Sequence, residues 1–173
     1  MSAIETRDPI YIVHVDPVER RDTNYIAQVD LAPFDLAGQV EQVWLHDLGD
    51  GTYALACVPF MSYGLALGDV VRLSRDNKIA ALVEARGHRV LRLMLADNPD
   101  STRLAGDVDE ITACVAHAGL LSEWHGPRFV AVDVPPAEHP ENVYTVLGRI
   151  VDEGRGYWEW ADSLQFAAPR QET

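Results

Sequence analysis

The sequence predicts an α+β protein in which a small antiparallel β-barrel or curled sheet is followed by a β-α-β-α-β two-layer unit, ferredoxin-like or split βαβ. Three observations carry this. Short β-branched and aromatic runs alternate with glycine-containing turns as far as Arg86, the hydrophobic period lengthens from two toward about 3.6 after Pro99, and strand-like and helix-like segments then alternate up to Trp160.

Ile10-Tyr11-Ile12-Val13-His14-Val15 reads as the first strand, with Tyr25–Val29 and Val40–Leu45 as weaker ones. Gly49-Asp50-Gly51 supplies a tight turn into Thr52–Val58, which makes a hairpin. Pro59 ends that strand, and a second hairpin follows from Asp69–Leu73 through Arg75-Asp76-Asn77 to Ile79–Ala85. After Gly87, His88–Leu95 alternates Leu91, Leu93 and Leu95 on one face with His88, Val90 and Arg92 on the other. Leu104, Val108, Ile111, Val115 and Ala118 then stack along one helical face, with Asp107 and Glu110 resembling a capping box and Gly119 at the stop. Arg128–Val134 reads as a strand halted by Pro135-Pro136. Pro140 opens a helix with Val143, Leu147, Ile150 and Val151 toward the core, and Tyr157–Trp160 closes the series as a strand. The expected organisation is an antiparallel β unit over residues 1–86, an α+β unit over 87–163 and a flexible tail over 164–173.

Of the 173 residues, 47% are hydrophobic and 24% charged, the balance of an ordinary globular chain. Charge is the informative quantity. The chain carries 27 acidic against 14 basic residues for a net −13, and the excess is uneven. Residues 1–96 hold 13 acids and 9 bases, net −4, whereas residues 97–173 hold 14 acids and 5 bases, net −9. Such a surface repels a phosphate backbone and excludes non-specific nucleic-acid binding, while it steers a basic protein toward the second half. Lys78 is the only lysine, an arginine bias expected of a GC-rich bacterium.

The start, Met1-Ser2-Ala3-Ile4-Glu5, has no basic-then-apolar signal, so a cytoplasmic location is expected. The uncharged run Gly51–Gly68 approaches the length of a membrane span, but Pro59 and its glycines fit buried strands joined by a turn instead. Cys57 and Cys114 lie in apolar segments without a CxxC partner and read as reduced core thiols.

Signatures of catalysis and cofactor binding are missing. Ser62 lacks the GxSxG elbow, the six histidines form neither HxH nor HExxH, and neither GxGxxG nor GxxxxGK occurs. No metal and no cofactor is expected, and a non-enzymatic role is favoured. Alternation along the third strand puts Glu41 and Asp47 on the face of Val43 and Leu45, with His46 opposite beside Trp44, a pattern that makes no metal triad.

Several short pieces in order, Val43-Trp44, Gly49-Asp50-Gly51-Thr52-Tyr53, Val58-Pro59-Phe60, Gly64, Gly68-Asp69-Val70-Val71, Gly87-His88, Arg92 and Ala131–Pro135, give the chain a resemblance. Over roughly residues 40–160 it resembles the uncharacterised bacterial domain-of-unknown-function family 4265. The resemblance implies a shared fold and no assigned activity.

Two groups of residues are candidates for function. Asp69, His88 and Arg92 would make a ligand site if they converge, although His88 and Arg92 lie four positions apart, about 13 Å along a strand. Ordinary turn chemistry and a solvated strand face are the competing readings. Trp124, Trp158 and Trp160, with Glu159, concentrate aromatic surface in the acidic half and are candidate partner contacts, against a plain packing role. The leading expectation is an acidic binding or inhibitory protein of the immunity or regulator type, acting on a basic protein. The alternatives are a small-molecule-binding protein or enzyme with a pocket between the two units, and a structural subunit of a larger assembly. Substrate, partner and oligomeric state are not legible in the sequence.

Overall fold

A computed structural model describes residues 8–167, and it places two β-sheets and two helices in three stacked layers. The expectations that fall on residues 1–7 and 168–173, including the end of the tail, lie outside the described residues.

The first sheet contains β1 (Ile10–Val13), β2 (Tyr25–Asp30), β3 (Gln39–Asp47), β4 (Tyr53–Leu55), β5 (Val70–Leu73) and β6 (Ile79–Glu84). β3 organises it. β2 runs antiparallel along one edge of β3, while parallel β1 and antiparallel β4 follow one another along the other edge. Gly49 and Gly51, both at positive φ, form the β3–β4 turn, where a left-handed backbone favours glycine. The sheet curls until Gln28 of β2 forms an isolated bridge to Lys78, with Asn77 donating to the Ile26 carbonyl. The sheet is not closed into a barrel, because that single bridge replaces a strand ladder.

The second sheet contains β7 (Arg89–Leu95), β8 (Leu121–His125), β9 (Phe129–Val134) and β10 (Gly156–Trp160), all antiparallel in the order β10-β7-β9-β8. α1 (Ser101–His117) and α2 (Glu141–Asp152) cover one face, where Leu91, Leu93, Leu95, Val130, Val132 and Val134 meet Ile111, Val115, Val143, Leu147 and Ile150. The opposite face turns Val90, Phe129 and Ala131 into the core of the first sheet, among Ile12, Val43, Leu45, Val58 and Phe60. All six residues of β9 are buried, as a strand covered on both sides requires.

Three sequence expectations need correction. The element order is β-α-β-β-α-β, because Leu121–His125 is a strand as well. Its inward residue is Glu123 and its leucine is exposed, which inverts the usual polarity of a strand and hides the period. The cap of α1 is Asp100, whose carboxylate accepts from the Thr102 and Arg103 amides. Asp107 instead pairs with Arg155 within the helical layer. Val151, expected on the core face of α2, is exposed. Of the tail expected from Leu164, Phe166 packs partly buried against the first core, and its backbone passes against Gly64.

Candidate functional site

Three places in the molecule gather ionisable side chains. The most deeply buried is the seam between the sheets. Alternation along β1 and just beyond turns Ile12 and His14 inward while Tyr11, Val13 and Val15 are exposed. His14 thereby enters the space between Glu41 of β3 and Glu123 of β8. Its Nδ1 lies 2.5 Å from Glu123 Oε2 and its Nε2 lies 3.0 Å from Glu41 Oε1, with the ring stacked on Phe60 at 4.1 Å.

The remaining oxygen capacity of both carboxylates is used. Glu41 accepts from the amides of Phe60, Met61 and Ser62 and from the Ser62 hydroxyl; Glu123 Oε1 accepts from the amides of Val18 and Val58. Burial alone would lower the His14 pKa, but the hydrogen bonds to the Glu123 and Glu41 carboxylates outweigh it and hold the imidazole charged, well above 6.5. Burial likewise acts to raise Glu41, yet the bonds from His14, Ser62 and Phe60 bring it down to about 2. Cys57 is buried and its thiol is pushed up by desolvation, so it is inert. With no solvent access, the seam holds the sheets together and leaves no room for a substrate.

Arg92 belongs to this seam. Across the second sheet, Glu123, Ala131, Arg92 and Glu159 stand in register on the face that meets the first sheet. The Arg92 guanidinium donates to the Ser62 carbonyl, lies over the Tyr63 ring at 4.6 Å and approaches Glu159 at 3.8 Å. Tyr63 donates its hydroxyl to the same Glu159 carboxylate at 2.6 Å. Arg92 is therefore buried and separate from the other two residues of its predicted trio.

Asp69 and His88 do come together. Both line a cavity of about 140 Å³ with Gly64, Ala85, Arg89 and Asp162 among its walls, at the edge where the two sheets meet. Gly87, at positive φ, turns the chain just before β7 and presents His88 there. The imidazole Nδ1 lies 2.9 Å from both oxygens of Asp133, a buried residue of β9 that sequence reasoning missed. That contact orients the ring on the cavity wall. No hydroxyl or thiol lines the cavity among the described residues, so the dyad has no adjacent nucleophile.

The third place is the helical layer and its aromatic edge. Trp158 and Trp160 pack edge to face, 6.1 Å apart, and both meet Tyr144 of α2; Trp124 also packs against the helical core. Their rings are partly buried, and Glu159 between them points to the opposite face. Arg103, Arg149 and Arg155 are engaged by Glu153, Glu110 and Asp107, whereas Asp97, Asp100, Asp109, Glu138, Glu141 and Asp152 are exposed with no ion-pair partner among the described residues.

Among the described residues no group of three or more His, Cys, Asp or Glu side chains is placed to hold a metal ion, and no helix is long and apolar enough to cross a membrane. Residues 41–160 match the family model described as "Domain of unknown function (DUF4265)". A solved structure described as "Novel crystal structure of a hypothetical protein from Neisseria gonorrhoeae" is similar in fold, with a TM-score of 0.59 at 18% identity, over 86% of this chain and 99% of that one. No curated protein matches the chain.

Proposed function

The chain belongs to the DUF4265 family of domains of unknown function, and from that premise we propose that it is a non-enzymatic acidic protein that binds, and by binding masks or inhibits, a basic protein. One observation carries the reading. In the helical layer the arginines are spent on internal ion pairs, while six acidic side chains remain exposed with no ion-pair partner among the described residues. An unbalanced negative field of this kind accelerates encounter with a positively charged partner. Trp124, Trp158, Trp160 and Glu159 border the acidic half and are the proposed contacts at its margin. The order β-α-β-β-α-β with strands arranged β10-β7-β9-β8 supports reading the second half as a split βαβ or ferredoxin-like arrangement.

The test is affinity capture with the intact chain from its own cells, followed by titration of the captured protein at low and high salt. The reading expects a basic partner whose affinity falls at least tenfold as salt rises through the range where surface charges are screened. Capture of no basic protein, or an affinity indifferent to salt, overturns it.

A further inference from the structure

We infer that the cavity beside Asp69 and His88 is a receptor for one cationic side chain, an arginine or lysine of the basic partner. This rests on the reading above and gives it an anchor point.

The argument is one of charge accounting at short range. Three other ionisable groups line the cavity and already have partners: His88 meets Asp133 at 2.9 Å, and Arg89 pairs with Asp162 at 2.7 Å. Arg86, the other cation near Asp69, is committed to Glu84 at 3.1 Å. Asp69 is left over. It is 3% exposed and lines the cavity, yet it has no ion-pair partner among the described residues.

Two backbone amides, those of Ala66 and Arg86, donate to its two oxygens at 2.9 and 2.8 Å and fix the carboxylate without bringing a full charge. A buried carboxylate that is aimed by the backbone and has no ion-pair partner is costly to hold ionised, even with Arg86 and His88 nearby acting to ease it. Desolvation accordingly raises the Asp69 pKa above 3.8. A cation entering the cavity removes that cost.

Size and lining select the kind of cation. At about 140 Å³ the space is below the roughly 300–1,000 Å³ of sites for drug-sized ligands, and it suits the end of one side chain. Leu65, Ala66, Ala85 and Val90 give it apolar walls that fit an alkyl stem, with Asp69 and His88 on the polar side for a hydrogen-bonding head. A planar guanidinium presents several donors in one plane to a fixed carboxylate, so arginine is preferred to lysine.

The test uses N-acetyl-arginine-amide and N-acetyl-lysine-amide as probes on the full chain, following the His88 ring signals by NMR. Saturable shifts at His88 are expected, with arginine tighter than lysine. Asp69→Asn should weaken the arginine probe at least tenfold. Ala85→Leu, which alters an exposed wall residue and leaves Asp69 in place, should do the same in a chain whose folding is undisturbed. Absence of saturable shifts, or equal affinity in Ala85→Leu, overturns the receptor while leaving salt-dependent partner binding intact. Probe binding in a chain that captures no basic protein would instead overturn the partner reading and leave a site for a free cation.

Discussion

His14 and Glu123 stand 109 positions apart in the chain and on different sheets, yet their side chains meet at 2.5 Å in the interior. Together with Glu41 and Arg92 they place two carboxylates, an imidazolium and a guanidinium where no water reaches. Charges buried this deeply hold a fold in register only as a set, because removing one leaves another without its counterpart.

His14→Ala is therefore expected to destabilise the protein by about 3–5 kcal/mol, the range for breaking a buried ion pair by deleting one member. Urea unfolding followed by tryptophan fluorescence measures it. Adding Glu123→Gln to that variant should recover part of the loss; a single-variant cost below about 1 kcal/mol would refute the role of the seam.

The seam also fixes the pH of greatest stability. Glu41 has its pKa lowered from 4.5 to about 2, so its contribution is whole above 4.5 and disappears as pH falls toward 2. For His14 the pKa is raised from 6.5 to about 12, so its contribution is whole below 6.5 and erodes as pH climbs toward 12. Asp69 and Asp133, both raised from 3.8 by desolvation, favour folding most at low pH and lose that contribution as they ionise. The urea midpoint should peak between pH 4.5 and 6.5, and a maximum above pH 8 would contradict the assignment.

At Gly64 (φ +72°) an added Cβ would overlap the Phe166 amide nitrogen. Gly64→Ala must then displace the segment that packs Phe166 against the first core, at a cost above about 1 kcal/mol. Limited proteolysis should cut the variant after Asp162 faster than the parent, with the sheet cores still protected.

A fragment of residues 87–163 carries a whole sheet and both helices but exposes Val90, Phe129 and Ala131, with Glu123 stripped of its partners and Arg92 left with Glu159 alone. It should show helical circular dichroism without a cooperative unfolding transition. A sharp two-state melt would mean that the inter-sheet face contributes little.

Much of this was legible in the residues. Period-two alternation puts Glu41 on the face of Val43 and Leu45, and the structure buries all three; the same rule turns His14 inward with Ile12. What alternation cannot supply is the partner. Glu123 lies in a segment whose one leucine faces solvent, so β8 carries no apolar period, and without β8 the third member of the seam has no position. Alternation sets Arg92 on the face of Val90, but a shared face does not say which end of the sheet a long side chain reaches, and it reaches the Ser62 carbonyl rather than the cavity at His88. Asp133 was hidden in an apolar strand that read as uniform core.

Ala131 sits between Glu123 and Arg92 in the row that faces the first sheet, completely buried and carrying only a methyl group. That methyl sits in the gap between the layers: a branched side chain there would wedge them apart and lengthen the contact from His14 to Glu123. A volume limit thus falls on a residue with no polar atom in its side chain, and its substitution should loosen the neighbouring charges before any of them is altered.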